Sequence, residues 1–242
     1  MIPLHYCGGI LFPHMRIIPA FIITGLLFSC NQPGNPVQLK SPAPVLANDT
    51  LRITKELTGI YRDDNVTFIP CDQPGMTYRV NDDAKLHAAF KKILPNAYPG
   101  EAIFLKMNAE LSAINSKIYA GLLEVKDILK TEQKNFENTC IPYDFWCMGT
   151  EPFWQLQISE KENLIDLYNP MEQKTIHAAY VKPKTENGSI TYTTLNNVKE
   201  PNFRIVIIKK KCSDGMSDRE YDYEATVIVN GTTYKGCAVK GK

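Results

Sequence analysis

Glu151-Pro152-Phe153-Trp154 sets an acid beside two aromatic rings. That combination serves either as a general acid of raised pKa or as a carbohydrate platform. The same four residues suit a strand entry, with Pro152 at its first position and Phe153 or Trp154 in the core. In that arrangement Glu151 pairs with Arg219, and this structural ion pair is the preferred reading, because a buried carboxylate needs a partner more often than it does chemistry. Ser213-Asp214-Gly215-Met216-Ser217-Asp218-Arg219 offers carboxylates and hydroxyls to a cation or a polar molecule. Calcium needs about six or more oxygens from a loop of defined spacing, and an EF-hand glutamate at the twelfth position is missing. Turn chemistry explains every residue of the loop except Met216, since Asp-Gly supplies positive φ and the Ser and Asp side chains satisfy local backbone donors. Glu151, Trp154, Asp214, Asp218 and Arg219 are therefore the candidate ligand-binding residues.

Nucleophilic catalysis has little to work with. Beyond the first 29 residues the histidines are His87 and His177, in different halves of the chain, and no Gly-x-Ser-x-Gly elbow occurs. No catalytic residue is assigned, and the chain is read as a non-enzyme. Soft metal ligands exist in Cys147-Met148, Cys212 and Met216, a set suited to Cu(I). Zinc-type Cys-x2-Cys or His-x3-His spacing is missing, and an oxidising compartment would consume the thiols. Disulfides and core methionines are the preferred reading, with no metal and no cofactor expected.

The elements that carry these residues are mostly strands. Leu57–Tyr61, Asn65–Ile69 and Met76–Val80 are short strands separated by Asp-Asp-Asn and Asp-Gln-Pro-Gly turns. A helix follows, capped by Asn81, Asp82 or Asp83, with Leu86, Ala89, Phe90 and Ile93 at helical spacing and Pro95 just beyond. Ala102–Leu111 and Gly121–Leu129 complete a unit over 51–131. Five strands with a helix after the third suit a small OB-like barrel. A polar connector, 132–139, leads to an antiparallel β unit over 140–242, curled into a barrel or sandwich. Its strands are Phe153–Ile158, Leu164–Tyr168, Thr175–Tyr180, Ile190–Leu195, Phe203–Lys209, Tyr221–Val229 and Thr232–Val239. The last two flank Asn230-Gly231, a strong hairpin signal. The fold class is mainly β.

The start of the chain carries an address. Ile17–Phe28 is an apolar run too short to span a bilayer comfortably, and it ends in Leu27-Phe28-Ser29-Cys30. This resembles the site cut by lipoprotein signal peptidase, after which Cys30 is lipidated. Residues 1–29 are then a signal peptide, whether synthesis starts at Met1 or at Met15, where Arg16 precedes the apolar run. Residues 30–50, rich in Pro and polar side chains, form a flexible tether. The expected location is the cell envelope, lipid-anchored in the outer membrane and facing the periplasm. The chain has 27 basic and 26 acidic side chains, and Arg16 lies in the leader, so the remainder is balanced. Neutrality argues against nucleic acid as a partner. The partners expected are the membrane, through the anchor, and envelope proteins or cell-wall fragments.

Five cysteines follow Cys30: Cys71, Cys140, Cys147, Cys212 and Cys237. A three-strand meander ending in the Asn230-Gly231 hairpin brings Cys212 and Cys237 together as a disulfide. The other three leave one pair and one thiol, with Cys140–Cys147 and Cys71–Cys140 as the options.

Two resemblances add to this reading. Phe68-Ile69-Pro70-Cys71, Thr77-Tyr78-Arg79-Val80, a helix and Pro99-Gly100-Glu101-Ala102-Ile103-Phe104-Leu105 are similar to the OB-like domain of NlpE-type envelope lipoproteins. The Cys-x-x-Cys domain tied to copper and surface-stress responses in that family has no counterpart here, so those activities are not implied. Cys147-Met148-Gly149-Thr150-Glu151-Pro152-Phe153-Trp154, the Cys212–Arg219 segment, Tyr221-Asp222-Tyr223 and Gly236-Cys237 resemble an uncharacterised family of bacterial envelope proteins. That resemblance implies an envelope β domain and no reaction.

Overall fold

Short apolar segments with turn residues between them close on themselves in the first half of the chain. The computed structural model describes residues 53–81, 84–194, 201–215 and 218–241. Strands β1 (Thr54–Arg62), β2 (Thr67–Pro70), β3 (Tyr78–Val80), β4 (Ala102–Ser112) and β5 (Leu122–Gln133) form a closed barrel in the order β1-β2-β3-β5-β4. β3 runs parallel to β5, and every other pairing is antiparallel. Helix α1 (Ala84–Ile93) lies between β3 and β4, so the order is that of an OB-like barrel. Its ten residues are too few for a helix stable alone in water. Leu86 and Phe90, one turn apart, hold it by entering the barrel core with Tyr61, Phe68, Ile103 and Leu105. Each such side chain contributes roughly 1.5–3 kcal/mol of burial. The cap candidates Asp82 and Asp83 lie outside the described residues.

The second half is one antiparallel sheet of nine strands. They are β6 (Phe145–Thr150), β7 (Phe153–Ser159), β8 (Leu164–Asn169), β9 (Lys174–Ala179), β10 (Lys184–Glu186), β11 (Ser189–Thr193), β12 (Phe203–Ser213), β13 (Glu220–Val229) and β14 (Thr232–Lys240). The order β10-β11-β12-β13-β14-β6-β7-β8-β9 curls into a half-barrel around one apolar core. Strand alternation builds that core: Ala225, Val227 and Val229 of β13 meet Leu156, Ile158, Ile165 and Ile205. Asn230 and Gly231, at φ 50° and 84°, form the tight turn between β13 and β14. Both positive angles are what a type I′ turn requires.

Two strands have no counterpart in the sequence reading. β10, Lys184-Thr185-Glu186, is fully exposed at the sheet edge and carries no apolar pattern. β6 is a continuous apolar run closed by Gly-Thr, without the alternation that marks a half-buried strand. It nonetheless sits mid-sheet, paired to β14 and β7. Pro152 belongs to the β6–β7 turn rather than to the first position of a strand, and the Glu151–Pro152 peptide is cis. The lysine run 209–211 lies within β12, and Lys210 and Lys211 face Glu224 and Asp222 of β13.

Residues 132–139, read as a connector, are built into the structure. Glu132 and Gln133 finish β5, and Lys134 is buried. Asn135 and Asn138 then cap each other's backbone N–H groups. Barrel and sheet belong to one compact unit, Asn48–Lys242. Glu162, in the β7–β8 turn, accepts hydrogen bonds from Arg62 of β1 at 2.8 Å and from Lys134 at 3.0 Å. Of the open cysteine pairings, the structure forms Cys71–Cys140, which ties the end of β2 to the segment entering the sheet. Cys212 bonds Cys237, with their Cα atoms 5.6 Å apart. A register shift between Lys209 and Cys212 re-aims the end of β12 toward β14. Cys147 is the remaining thiol and is fully buried.

Candidate functional site

The two halves of the C-terminal signature, far apart in sequence, meet in space. β6 and β7 form the hairpin bearing Gly149 to Trp154, and β14 lies beside β6 with Cys237 opposite Met148. The Cys212–Cys237 bond holds the end of β12 there, so that the Thr150 hydroxyl donates to the Asp214 carbonyl at 3.0 Å. The Asp214 carboxylate accepts the Tyr221 hydroxyl at 3.2 Å. On one side of this junction is a pocket of about 330 Å³, with Phe153, Trp154 and Tyr168 among its walls and Gln133 and Asn135 at the barrel side. On the other side is a groove of about 320 Å³ that includes Glu151, Asp214 and Lys235.

The aromatic residues play unequal parts. Phe153 is 52% exposed, while Trp154 is 3% exposed and packs on Tyr234. Gly149 permits this: a Cβ there would sit 2.2 Å from the Trp154 Nε1 and 2.8 Å from the Lys235 carbonyl. Trp154 Nε1 is the one buried side-chain polar atom without a hydrogen-bond partner among the described residues. An unpaired buried donor costs about 1–3 kcal/mol, which the packing of this ring in the core must offset. Burial raises the Tyr168 phenol above its usual range, with the nearby Glu101 charge acting in the same direction. Tyr168 is therefore a neutral hydroxyl at physiological pH.

Of the residues named from sequence, Glu151, Trp154 and Asp214 converge here. Asp218 and Arg219 do not line either cavity. Asp218 is exposed, and Arg219 pairs with Glu137 at 2.8 Å and lies over the Phe136 ring, which corrects the expected Glu151–Arg219 pair. Glu151 sits exposed in the hairpin turn, without the burial that would demand a partner. Cys30 and Met216 lie outside the described residues. Among the soft-metal candidates, Cys212 is in a disulfide and holds no thiolate, and burial pushes the Cys147 thiol far above its usual range. Gln155 follows the signature directly on β7, whereas Gln133, Asn135 and Tyr168 join the pocket unannounced, because they come from other segments and bear no local signature. Only the fold places them.

The two described histidines are each held by an aspartate. His87 Nδ1 lies 2.7 Å from Asp63 on the barrel. His177 Nδ1 lies 2.7 Å from Asp166, and the ring stacks on Tyr98 at 4.1 Å. The Tyr98 hydroxyl donates to the other oxygen of Asp166, and the Thr175 hydroxyl donates to Glu101. This polar set joins the barrel to β8 and β9. Burial, then the charge of Asp166, drives the Tyr98 phenol far up.

No protein-family model matches the chain, and no curated protein or solved structure is significantly similar to it. The site itself defines a class: a recessed, mostly uncharged aromatic pocket on a β scaffold.

Proposed function

We propose that this chain is a lipid-anchored bacterial envelope protein, held in the outer membrane through Cys30 and facing the periplasm, that binds a ligand without turning it over. The resemblance of its first half to NlpE-type lipoproteins and of its second to an envelope family supports the address. The observation that carries the binding role is the pocket under Phe153, in which both sequence signatures and the barrel supply walls. A pocket of this size lies at the lower end of the roughly 300–1,000 Å³ found for small-molecule sites. Asp214, the acid of its walls, is already engaged by Tyr221, and elsewhere Arg219 pairs with Glu137, His87 with Asp63 and His177 with Asp166. Thermal unfolding of the full chain with a small-molecule extract of the periplasm tests the role. The midpoint should rise for the wild type and not for Phe153→Ala, and an unchanged midpoint in both refutes it. The address is tested by metabolic labelling with a clickable fatty acid, which should mark the wild type and not Cys30→Ser.

One observation favours a second reading, an envelope glycan hydrolase: Glu151 and Asp214 line the same groove. That reading would draw on Glu151, Asp214 and Asp218 as its carboxylates, and Asp218 is not among the residues that line the groove. Glu151→Gln would abolish turnover under the second reading and leave ligand binding intact under the first.

A further inference from the structure

The geometry points to an uncharged pyranose saccharide as the ligand of the Phe153 pocket, an inference that rests on the binding role proposed above. Three features select this chemistry. First, among the described residues the walls hold neither Lys nor Arg, and their one acid, Asp214, already receives a hydroxyl from Tyr221. An anionic ligand would find no counter-charge and a cationic one only a shared carboxylate, so a neutral molecule is favoured. Second, Phe153 is a large aromatic left half in solvent, and Tyr168 lines the same pocket from the same face of the sheet. Flat rings present the apolar faces against which the C–H faces of a sugar ring stack. Third, the polar groups that remain are amides and hydroxyls. The Asn135 Oδ1 accepts the N–H groups of Glu137 and Asn138, so its NH2 is the half of the amide left for a ligand oxygen. Gln133 and Tyr168 add an amide and a phenol to the same walls. Amides and neutral hydroxyls donate and accept at once, which matches a ligand whose every hydroxyl does the same. A purely apolar ligand would leave these groups dry and unpaired.

The two indole N–H groups supply a reporter. The chain has two tryptophans. Trp146 lies on the Phe153 face of the sheet and donates to Gln155, a wall residue of this pocket, at 3.3 Å, whereas Trp154 packs into the core on the opposite face.

The test is titration of the 15N-labelled full chain with the N-acetylglucosamine disaccharide, read at the two indole N–H resonances. The Trp146 resonance should move saturably, with the Trp154 resonance moving less. Phe153→Ala should weaken the apparent affinity about fivefold, the size of one aromatic contact, with an unchanged thermal midpoint showing that the fold is kept. Absence of any shift up to about 10 mM, a limit of negligible affinity, overturns the saccharide assignment. So does equal affinity in the wild type and Phe153→Ala. The two levels of the proposal separate cleanly. If the periplasmic extract stabilises the chain while the disaccharide does not bind, the saccharide is wrong and the binding role stands. If the disaccharide binds and is cleaved, the saccharide stands and the non-enzymatic reading falls.

Discussion

Glu162 is a carboxylate with 3% of its side chain exposed, and its replacement by glutamine should be among the most destabilising single changes in the chain. Burial alone would push its carboxyl up, but Lys134 and Arg62 outweigh that and hold it below the usual carboxylate range. Lys134 lies 3.0 and 3.1 Å from its two oxygens, Arg62 2.8 Å from one, and the Gln157 amide donates at 2.7 Å. Glu162→Gln leaves the Lys134 ammonium buried with no counter-charge beside Arg62. Breaking a buried pair in this way costs about 3–5 kcal/mol. For a chain of this size each kcal/mol moves the midpoint by about 2–4 °C, so a fall of roughly 6–20 °C is expected. Urea unfolding at neutral pH should show it as a lower midpoint. Lys134→Met in the Glu162→Gln background should recover part of the loss, because the two changes share one interaction. The folded-state carboxyl is depressed, so its contribution is complete above the unfolded value near 4.3 and disappears as pH falls below it. The wild type should therefore lose stability on acidification more steeply than Glu162→Gln. A loss under about 1 kcal/mol at pH 7, or acid limbs of equal slope, would refute the argument that these charges hold barrel and sheet together.

Glu101 should behave in the opposite sense. Burial raises its carboxyl despite the Thr175 and Tyr98 hydrogen bonds, so the stability it favours is present at low pH and fades as pH rises through its folded-state value. Glu101→Gln should therefore compare better with the wild type at pH 7 than at pH 4 in thermal melts. Replacing both Cys212 and Cys237 by serine opens a loop with a sequence separation of 25 and should cost about 3–4 kcal/mol in denaturant unfolding. Because that bond also pins Asp214 beside Thr150, the same variant should lose ligand-induced stabilisation. Cys147 should resist alkylation in the native chain and react only after denaturation, since it is buried with its thiol held protonated. Rapid labelling without denaturant would contradict its place in the core.

Local rules reached much of this fold. Alternation in Ala225, Val227 and Val229, the Asn230-Gly231 turn, and the Leu86–Phe90 spacing before Pro95 depend on near neighbours, and each element formed where those neighbours required. The Cys212–Cys237 pairing followed from a meander, which is also nearly local. What the sequence left open depends on which strands become neighbours. β6 has no alternation, because both its faces are covered in a sheet whose partner, β14, lies at the other end of the domain sequence. Glu151 and Arg219 are natural partners by charge alone, yet Arg219 meets Glu137 because the path of the chain after β5 brings it there. The choice between Cys140–Cys147 and Cys71–Cys140 likewise awaited the barrel, which sets Cys71 beside the segment entering the sheet. The signature residues Trp154 and Asp214 were legible as a site in the making. Gln133, Asn135 and Tyr168 were not, since a pocket wall assembled from separate strands leaves no spacing to read, and only long-range packing decides which polar side chains face one another.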